Sequence, residues 1–265
     1  MSDQPHLLFE RDGHVATLTM NRPEAKNALS SEMLARMYDG WVEVDEDPEI
    51  RVCILTGAGG TFCAGMDLKA FASGFQADTW TERFASDSDL AWKALLRHFR
   101  PRKPIICAVE GYALAGGTEI LQGTDIRVAG EGAVFGISEV ARGLFPLGGS
   151  TVRLRRQIPY TVAAEMLLTG RRVPAQEAKE IGLIGHVVPD GQAMAKAREL
   201  AEVIAGNAPL SVQAVLRSLR EGAEMSEADA LANELEIGSP IFATNDAKEG
   251  ATAFKEKRPA NFTGT

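Results

Sequence analysis

The sequence predicts an α/β core followed by an all-helical C-terminal region. Two observations carry that expectation. In the first two thirds of the 265 residues, short apolar runs of strand type alternate with stripes of helical period, whereas from Pro159 onward the patterns are nearly all helical. The composition agrees with a folded chain: 45% hydrophobic, 24% charged and 6% aromatic residues exclude disordered, collagen-like and disulfide-scaffold classes. The boundary is expected near residue 200, giving a core over 1–200 and a helical region over 201–265.

The elements follow in order. His14 to Met20 reads as a strand with Ala16, Leu18 and Met20 on one face, and Asn21-Arg22-Pro23 ends it. Leu34, Met37, Trp41 and Val44 then form a helical stripe, with Ser30 or Ser31 as cap and Pro48 beyond its end. Val52 to Thr56 is a strand that stops at Gly57-Ala58-Gly59-Gly60, and a loop of small residues runs from Thr61 to Asp67. Phe71, Phe75, Trp80, Phe84 and Trp92 stand among polar residues without clear period, as in a lid or pocket wall. Pro104 to Val109 and Ile126 to Ala129 are further strands, with a helix between them from about Gly117 into Thr124. Gly143 to Gly149 is a loop that opens a basic helix containing Arg153, Arg155 and Arg156.

Several functions are excluded or weakened. A net charge of −8 is opposite to the footprint of a nucleic-acid binder, so a polyanionic ligand would need a local basic pocket. The three cysteines, Cys53, Cys63 and Cys107, contain no CxxC pair and fit a reducing compartment. The four histidines are scattered, and no zinc site is legible. The first residues lack a signal-peptide pattern and no stretch approaches the ~18 apolar residues of a spanning helix, so the cytoplasm is expected. The glycine cluster at 57–60 lacks the Lys-Ser/Thr of a P-loop and the third glycine of a dinucleotide fingerprint, where Phe62 stands. Ser138 and Cys63 are possible nucleophiles without a histidine whose context marks it as their base.

Two acids stand out by setting. Glu119 follows Gly116 by three residues, near the first turn of a predicted helix, where free amides and the helix dipole favour negative charge. Glu139 follows the apolar run Val134-Phe135-Gly136-Ile137 at the entrance to the Pro146 loop. On these residues alone, a helix N-terminal acid and a surface loop acid account for the pattern as well.

Taken together, Asn21-Arg22-Pro23 with Lys26-Asn27-Ala28-Leu29, Phe62 to Leu68, Glu110 to Ala113 through Gly116-Gly117-Thr118-Glu119, and Phe135 to Glu139 resemble the crotonase superfamily of enoyl-CoA hydratases and isomerases. The resemblance continues through Leu168-Thr169-Gly170, Ala178 to Leu183, and Ala253 to Arg258, and so covers essentially the whole chain. It implies a crotonase-like spiral of ββα turns building two stacked sheets, then a helical trimerisation region, in a homo-trimer or a homo-hexamer arranged as a dimer of trimers. It implies an acyl-CoA substrate, with coenzyme A as part of the substrate and no separate cofactor, metal or nicotinamide.

By motif position the resemblance assigns the thioester oxygen to the backbone N–H groups of Met66 and Gly116, with Met66 replacing a frequent alanine. The hydratase branch is similar in having a second Glu 20 residues after the first, as Glu139 follows Glu119. Glu119 is then expected to activate water and Glu139 to protonate the α-carbon; an isomerase using Glu139 alone and a non-catalytic acyl-CoA-binding protein are the alternatives. Coenzyme A contacts are implied at Lys26, Ala28, Ala64, Met66, Asp67 and Leu68, with Phe254 and Lys257 contributed by a neighbouring subunit. Gly117 to Gly130 resembles the same stretch in actinobacterial hydratases, some of which are specialised for steroid side-chain esters, and the aromatic stretch fits a wide acyl pocket.

Overall fold

The computed structural model describes residues 4–68 and 80–265. Phe71 and Phe75 of the expected lid lie outside the described residues; Trp80 precedes a short helix α2 (Thr81–Ser86), and Trp92 lies within α3 (Leu90–Ala94).

Six strands form the first sheet: β1 (Leu7–Asp12), β2 (Val15–Met20), β3 (Val52–Gly57), β4 (Ile105–Val109), β6 (Ile126–Gly130) and β9 (His186–Val188), in the order β1-β2-β3-β4-β6-β9. Only β1 runs antiparallel to its neighbour, as a hairpin partner of β2; the remaining pairs are parallel, which requires a crossover between each. The first crossover is α1 (Ser31–Glu46). Its N-cap is Ser30, whose Oγ accepts from the Met33 amide at 3.2 Å, and its predicted stripe packs inward as Met37, Trp41 and Val44, each fully buried. Trp41 Nε1 donates to the Ala94 carbonyl at 2.9 Å, so the largest core side chain leaves no orphaned donor.

A second sheet joins β5 (Tyr112–Leu114), β7 (Val134–Gly136) and β8 (Arg172–Pro174). Strand periodicity sorts the core between the layers. Cys53, Leu55 and Cys107 face the main cluster with Ala113, Phe135 and Val173 of the second sheet. Val52, Ile54, Ile106 and Val128 face α8 (Ala193–Ala205), which meets them with Ala193, Ala197, Ala201 and Ala205. The spacing of four puts these small side chains on one stripe and lets helix and sheet approach closely. Residue 200, the expected boundary, falls inside α8. The helical region continues as α9 (Pro209–Gly222), α10 (Glu227–Gly238) and α11 (Asn245–Glu256).

Two expectations need correction. The region after Pro159 is not purely helical: β8 and β9 each insert three residues into a sheet. The helix expected over Gly117–Thr124 is α4, Gly116–Leu121, and it begins on the glycine singled out above. Among the described residues no helix is long and apolar enough to cross a membrane, and no group of three or more His, Cys, Asp or Glu is placed to hold a metal ion.

Candidate active site

Three separate segments lie side by side to build the site floor. The Lys26 carbonyl accepts from the Ala64 amide at 3.0 Å, and the Leu29 amide donates to Gly65 at 2.8 Å, so residues 26–29 run beside 64–67. On the other flank the Cys63 amide donates to Tyr112 at 2.8 Å and Leu114 donates to Cys63 at 2.9 Å. This second ladder delivers Met66 to the start of α4.

The approach is close enough to need glycine. Gly65 has φ +92°, and a Cβ there would lie 2.7 Å from the Ala115 Cβ and 3.2 Å from the Gly116 amide nitrogen. The Met66 nitrogen in turn lies 3.9 Å from the position a Gly116 Cβ would take. Among the described residues neither of these two amides donates to a turn, loop or cap carbonyl. Ala115, the N-cap of α4, has φ 50° and ψ −124°, a region that costs a residue with a Cβ about 1–3 kcal/mol. The strain is localised on the residue that aims the Gly116 N–H.

Glu119 lies in the first turn of α4 and is 4% exposed. Its Oε1 accepts from the Ser150 amide at 3.2 Å, at the start of α5 (Ser150–Gln157). Gly148 is pressed against the same carboxylate: a Cβ at Gly148 would come within 2.6 Å of Oε2. Burial raises the Glu119 pKa, and hydrogen bonds from the Ser150 and Gly148 amides oppose that rise. Gln122 Nε2 donates to Ser150 Oγ at 2.8 Å and so fixes the hydroxyl that also supports the carboxylate.

Glu139 opens a 3-10 turn (Glu139–Arg142), where it is half-buried and its Oε2 is enclosed without a hydrogen-bond partner. Burial first, and then repulsion from the Glu119 carboxylate, push its pKa up to about 7. The charge of Glu119 thus acts on Glu139, 20 residues further along the chain. A carboxyl with an orphaned oxygen and a raised pKa is suited to hold a proton. One ringed by amides is suited to accept one.

The chain matches a known family, described as Enoyl-CoA hydratase/isomerase, over residues 10–265. The chain belongs to the enoyl-CoA hydratase/isomerase family. It is 59% identical over 258 residues to enoyl-CoA hydratase EchA19 of Mycobacterium tuberculosis, covering 97% of this chain and 96% of that one. It is 40% identical over 258 residues to (E)-benzylidenesuccinyl-CoA hydratase of Thauera aromatica, covering 97% and 98%. The crystal structure of enoyl-CoA hydratase EchA1 from Mycobacterium marinum superposes with a TM-score of 0.90 at 43% identity, covering 99% of this chain and all of that one. The enoyl-CoA hydratase/isomerase fold is thus that of the whole chain, helical region included.

Within this family member, the Met66 amide lies beside the start of α4, which carries Gly116 and Glu119, and Glu139 is within the electrostatic reach of Glu119. Ala28 and Ala64 line the same ladder, Lys26 is exposed at its edge, and Leu68 is exposed beyond it. Asp67 is held by Arg22, whose Nη1 donates to it at 3.2 Å and to the Ala28 carbonyl at 2.8 Å. Phe254 and Lys257 stand apart: Phe254 is 88% exposed on α11, and Lys257 is the left-handed C-cap of that helix. Of the possible nucleophiles, Cys63 is fully buried and its thiol is pushed up to about 12.

Sequence reasoning missed Gly148, Ser150, Gln122 and Asn27. Asn27 carried a signal in principle, a polar residue inside the Lys26-Asn27-Ala28 motif. It is fully buried, accepting from the Arg22 amide at 2.8 Å and donating to Ala58 at 2.9 Å and Thr61 at 2.6 Å.

Proposed function

We propose that this protein is an enoyl-CoA hydratase, adding water across the 2,3 double bond of a 2-enoyl-CoA to give the 3-hydroxyacyl-CoA. The observation that carries the reading is the pair of carboxylates, one stabilised by amides and one with an oxygen lacking a partner, together with the Met66 and Gly116 N–H groups, which among the described residues donate to no turn, loop or cap carbonyl.

The chemistry follows from those differences. The thioester oxygen accepts from the Met66 and Gly116 amides, which stabilise the enolate charge that develops on it; one such donor typically supplies about 2.7–4 kcal/mol of transition-state stabilisation. Glu119 takes a proton from the attacking water as its oxygen bonds to C3. Glu139 gives its proton to C2 as the enolate collapses. The two acids act as a coupled pair, and the cycle closes when the proton now on Glu119 is relayed to Glu139 through the next water, which is left neutral between them. Coenzyme A is carried in as part of the substrate, and the reaction as written needs no metal or nicotinamide. Lys26 and Arg172 flank the Tyr112 ring at 5.3 Å and 5.6 Å, a local cationic patch on an acidic chain that suits a polyanionic carrier.

Phe254 and Lys257 are proposed to reach the coenzyme of a neighbouring subunit. Homo-trimers or hexamers are supported by the bare apolar side chains of the later helices, such as Leu168, Leu235 and Phe254. A bulky, steroid-like acyl group is supported by Met66, Phe145 and Leu147, which stand exposed on the segments that carry the oxyanion amide and the Glu119-binding turn. The cytoplasm remains the proposed compartment.

The test is hydration of short, long and steroidal 2-enoyl-CoA esters by the wild type, Glu119→Gln and Glu139→Gln. Both variants are expected to lose orders of magnitude in rate while retaining CoA binding. Near-normal hydration by either one removes the assignment, faster isomerisation of a 3-enoyl-CoA than hydration favours the isomerase, and turnover confined to crotonyl-CoA removes the bulky substrate.

A further inference from the structure

The turn that holds Glu119 is itself held from outside the site. Between α3 and β4 the chain passes through Leu96, fully buried with φ 56°, and Arg97, which is exposed. The Leu96 carbonyl accepts a hydrogen bond from Arg153 Nη2 on α5. In the opposite sense, Arg97 Nη1 donates to the Leu147 carbonyl. Two adjacent residues thus grip the 147–153 segment at both ends, and between the grips lie Gly148, Gly149 and Ser150.

The rest of each arginine is also engaged. The Arg97 guanidinium sits 5.1 Å from the centroid of the Trp92 ring, so α3 supports it from beneath. Arg153 lies along the turn, its Cδ and Nε 3.5 Å from the position of a Gly149 Cβ, and its Nη1 is enclosed without a partner. Both arginines place planar, charged donors on single carbonyls, where they restrain backbone position.

We propose that Arg97 is a positioning residue for the catalytic carboxylate: together with Arg153 it clamps the Gly148-Gly149-Ser150 turn, so that the placement of Glu119 depends on the segment that follows α3. The proposal rests on the role given to Glu119 above. Among the described residues, the charged groups that act on that carboxylate include Glu139 from its 3-10 turn and Arg153 from α5, with the charge of Arg97 acting in turn on Arg153. His98, next in the chain to Arg97, is engaged by Asp89 at 2.5 Å. The turn amides and Arg153 favour the ionised form of Glu119, and Glu139 opposes it. Releasing the turn weakens the first influence, so the carboxylate protonates at higher pH.

The experiment measures kcat, KM and the pH profile for crotonyl-CoA hydration in the wild type, Arg97→Met, Arg97→Lys and Arg153→Lys, with Glu119→Gln and thermal melting alongside. Arg97→Met is expected to lose about tenfold or more in kcat with little change in KM, on the scale that small misplacements of a reacting group cost. Its acid limb is expected to move to higher pH, and Arg97→Lys, which keeps a cationic donor, to recover most of both effects. Arg153→Lys is expected to lose kcat in the same direction. Wild-type kcat and an unmoved limb in Arg97→Met overturn the clamp, as do equal deficits in Arg97→Met and Arg97→Lys with the limb unmoved. If the wild type hydrates and Glu119→Gln does not, such a result removes the clamp alone; undiminished hydration by Glu119→Gln removes the role of Glu119 itself.

Discussion

Replacing Gly148 by alanine tests whether the position of one carboxylate sets the rate. The new Cβ would lie 2.6 Å from Oε2, 2.8 Å from Cδ and 2.9 Å from Cβ of Glu119. Because the base of the side chain is struck as well as its tip, rotation of the carboxylate alone gives no escape. To restore an ordinary 3.4 Å contact, the carboxylate and the turn must separate by about 0.8 Å. The Ser150 amide bond to Oε1 is already 3.2 Å long and does not survive that displacement. A misplacement near 1 Å costs up to about a hundredfold, so kcat is expected to fall between about tenfold and a hundredfold, or about 1.4–2.7 kcal/mol of barrier. KM should change little, because the ladder of residues 26–29 and 64–67 is untouched. Overpacking should cost about 1–3 kcal/mol of stability, read by urea unfolding. Gly238→Ala is the control: nothing lies within 4 Å of its Cβ, and it ends α10. Steady-state hydration of crotonyl-CoA reads the outcome. Wild-type kcat in Gly148→Ala would refute the claim that this turn places the base.

Two further perturbations address energetics. The Glu139 carboxyl titrates in the fold at about 7, above its ordinary range, so the contribution it makes to stability is present at low pH and is lost as pH rises through about 7; Glu139→Gln is therefore expected to raise the melting temperature relative to wild type more at pH 8 than at pH 5, and an equal gain at both would contradict the burial and repulsion assigned to it. Arg220 on α9 donates to both oxygens of Asp125, at 3.0 Å and 2.9 Å, and to the Pro101 carbonyl at 2.6 Å; Arg220→Met should cost about 3 kcal/mol in urea unfolding by leaving that acid short of a partner, with Asp125→Asn restoring part of the loss in the double variant.

The sequence made some of this legible and hid the rest for physical reasons. Leu34, Met37, Trp41 and Val44 marked α1 because sixteen residues hold more than four helical turns, enough for the period to emerge. Strand β2 was legible by its alternation of apolar residues with threonines, and β3, β4 and β6 as short, mostly apolar runs. Strands β8 and β9 have three residues each, too few for any period, and exist because β7 and β6 are there to pair with them. Edge strand β1 was missed because only Leu7 is buried. At the site, Gly116 and Glu119 could be placed by helix-start reasoning, since three residues of one turn decide the matter. The Gly148 and Ser150 contacts could not: they depend on a turn some 30 residues onward folding over α4, and no local pattern encodes that distance.

The two carboxylates are the same residue type, and the difference that suits one to the proposed role of base and the other to that of acid is a property of the fold. Glu119 is the more deeply buried, and by desolvation alone it would be the harder to ionise. The turn of residues 148–150 reverses that order by supplying amides, which solvate the anion at fixed positions. Glu139 is less buried yet is pushed further, because its Oε2 has no donor and its neighbour is an acid. Ionising Glu119 therefore raises the proton affinity of Glu139, so one carboxylate being ready to accept makes the other ready to give. The same coupling explains why a strained Ala115 is retained at the head of α4. That helix carries both Gly116 and Glu119, and relaxing its entry to relieve about 1–3 kcal/mol would shift the proposed oxyanion amide and the proposed base together, away from Met66 and Glu139.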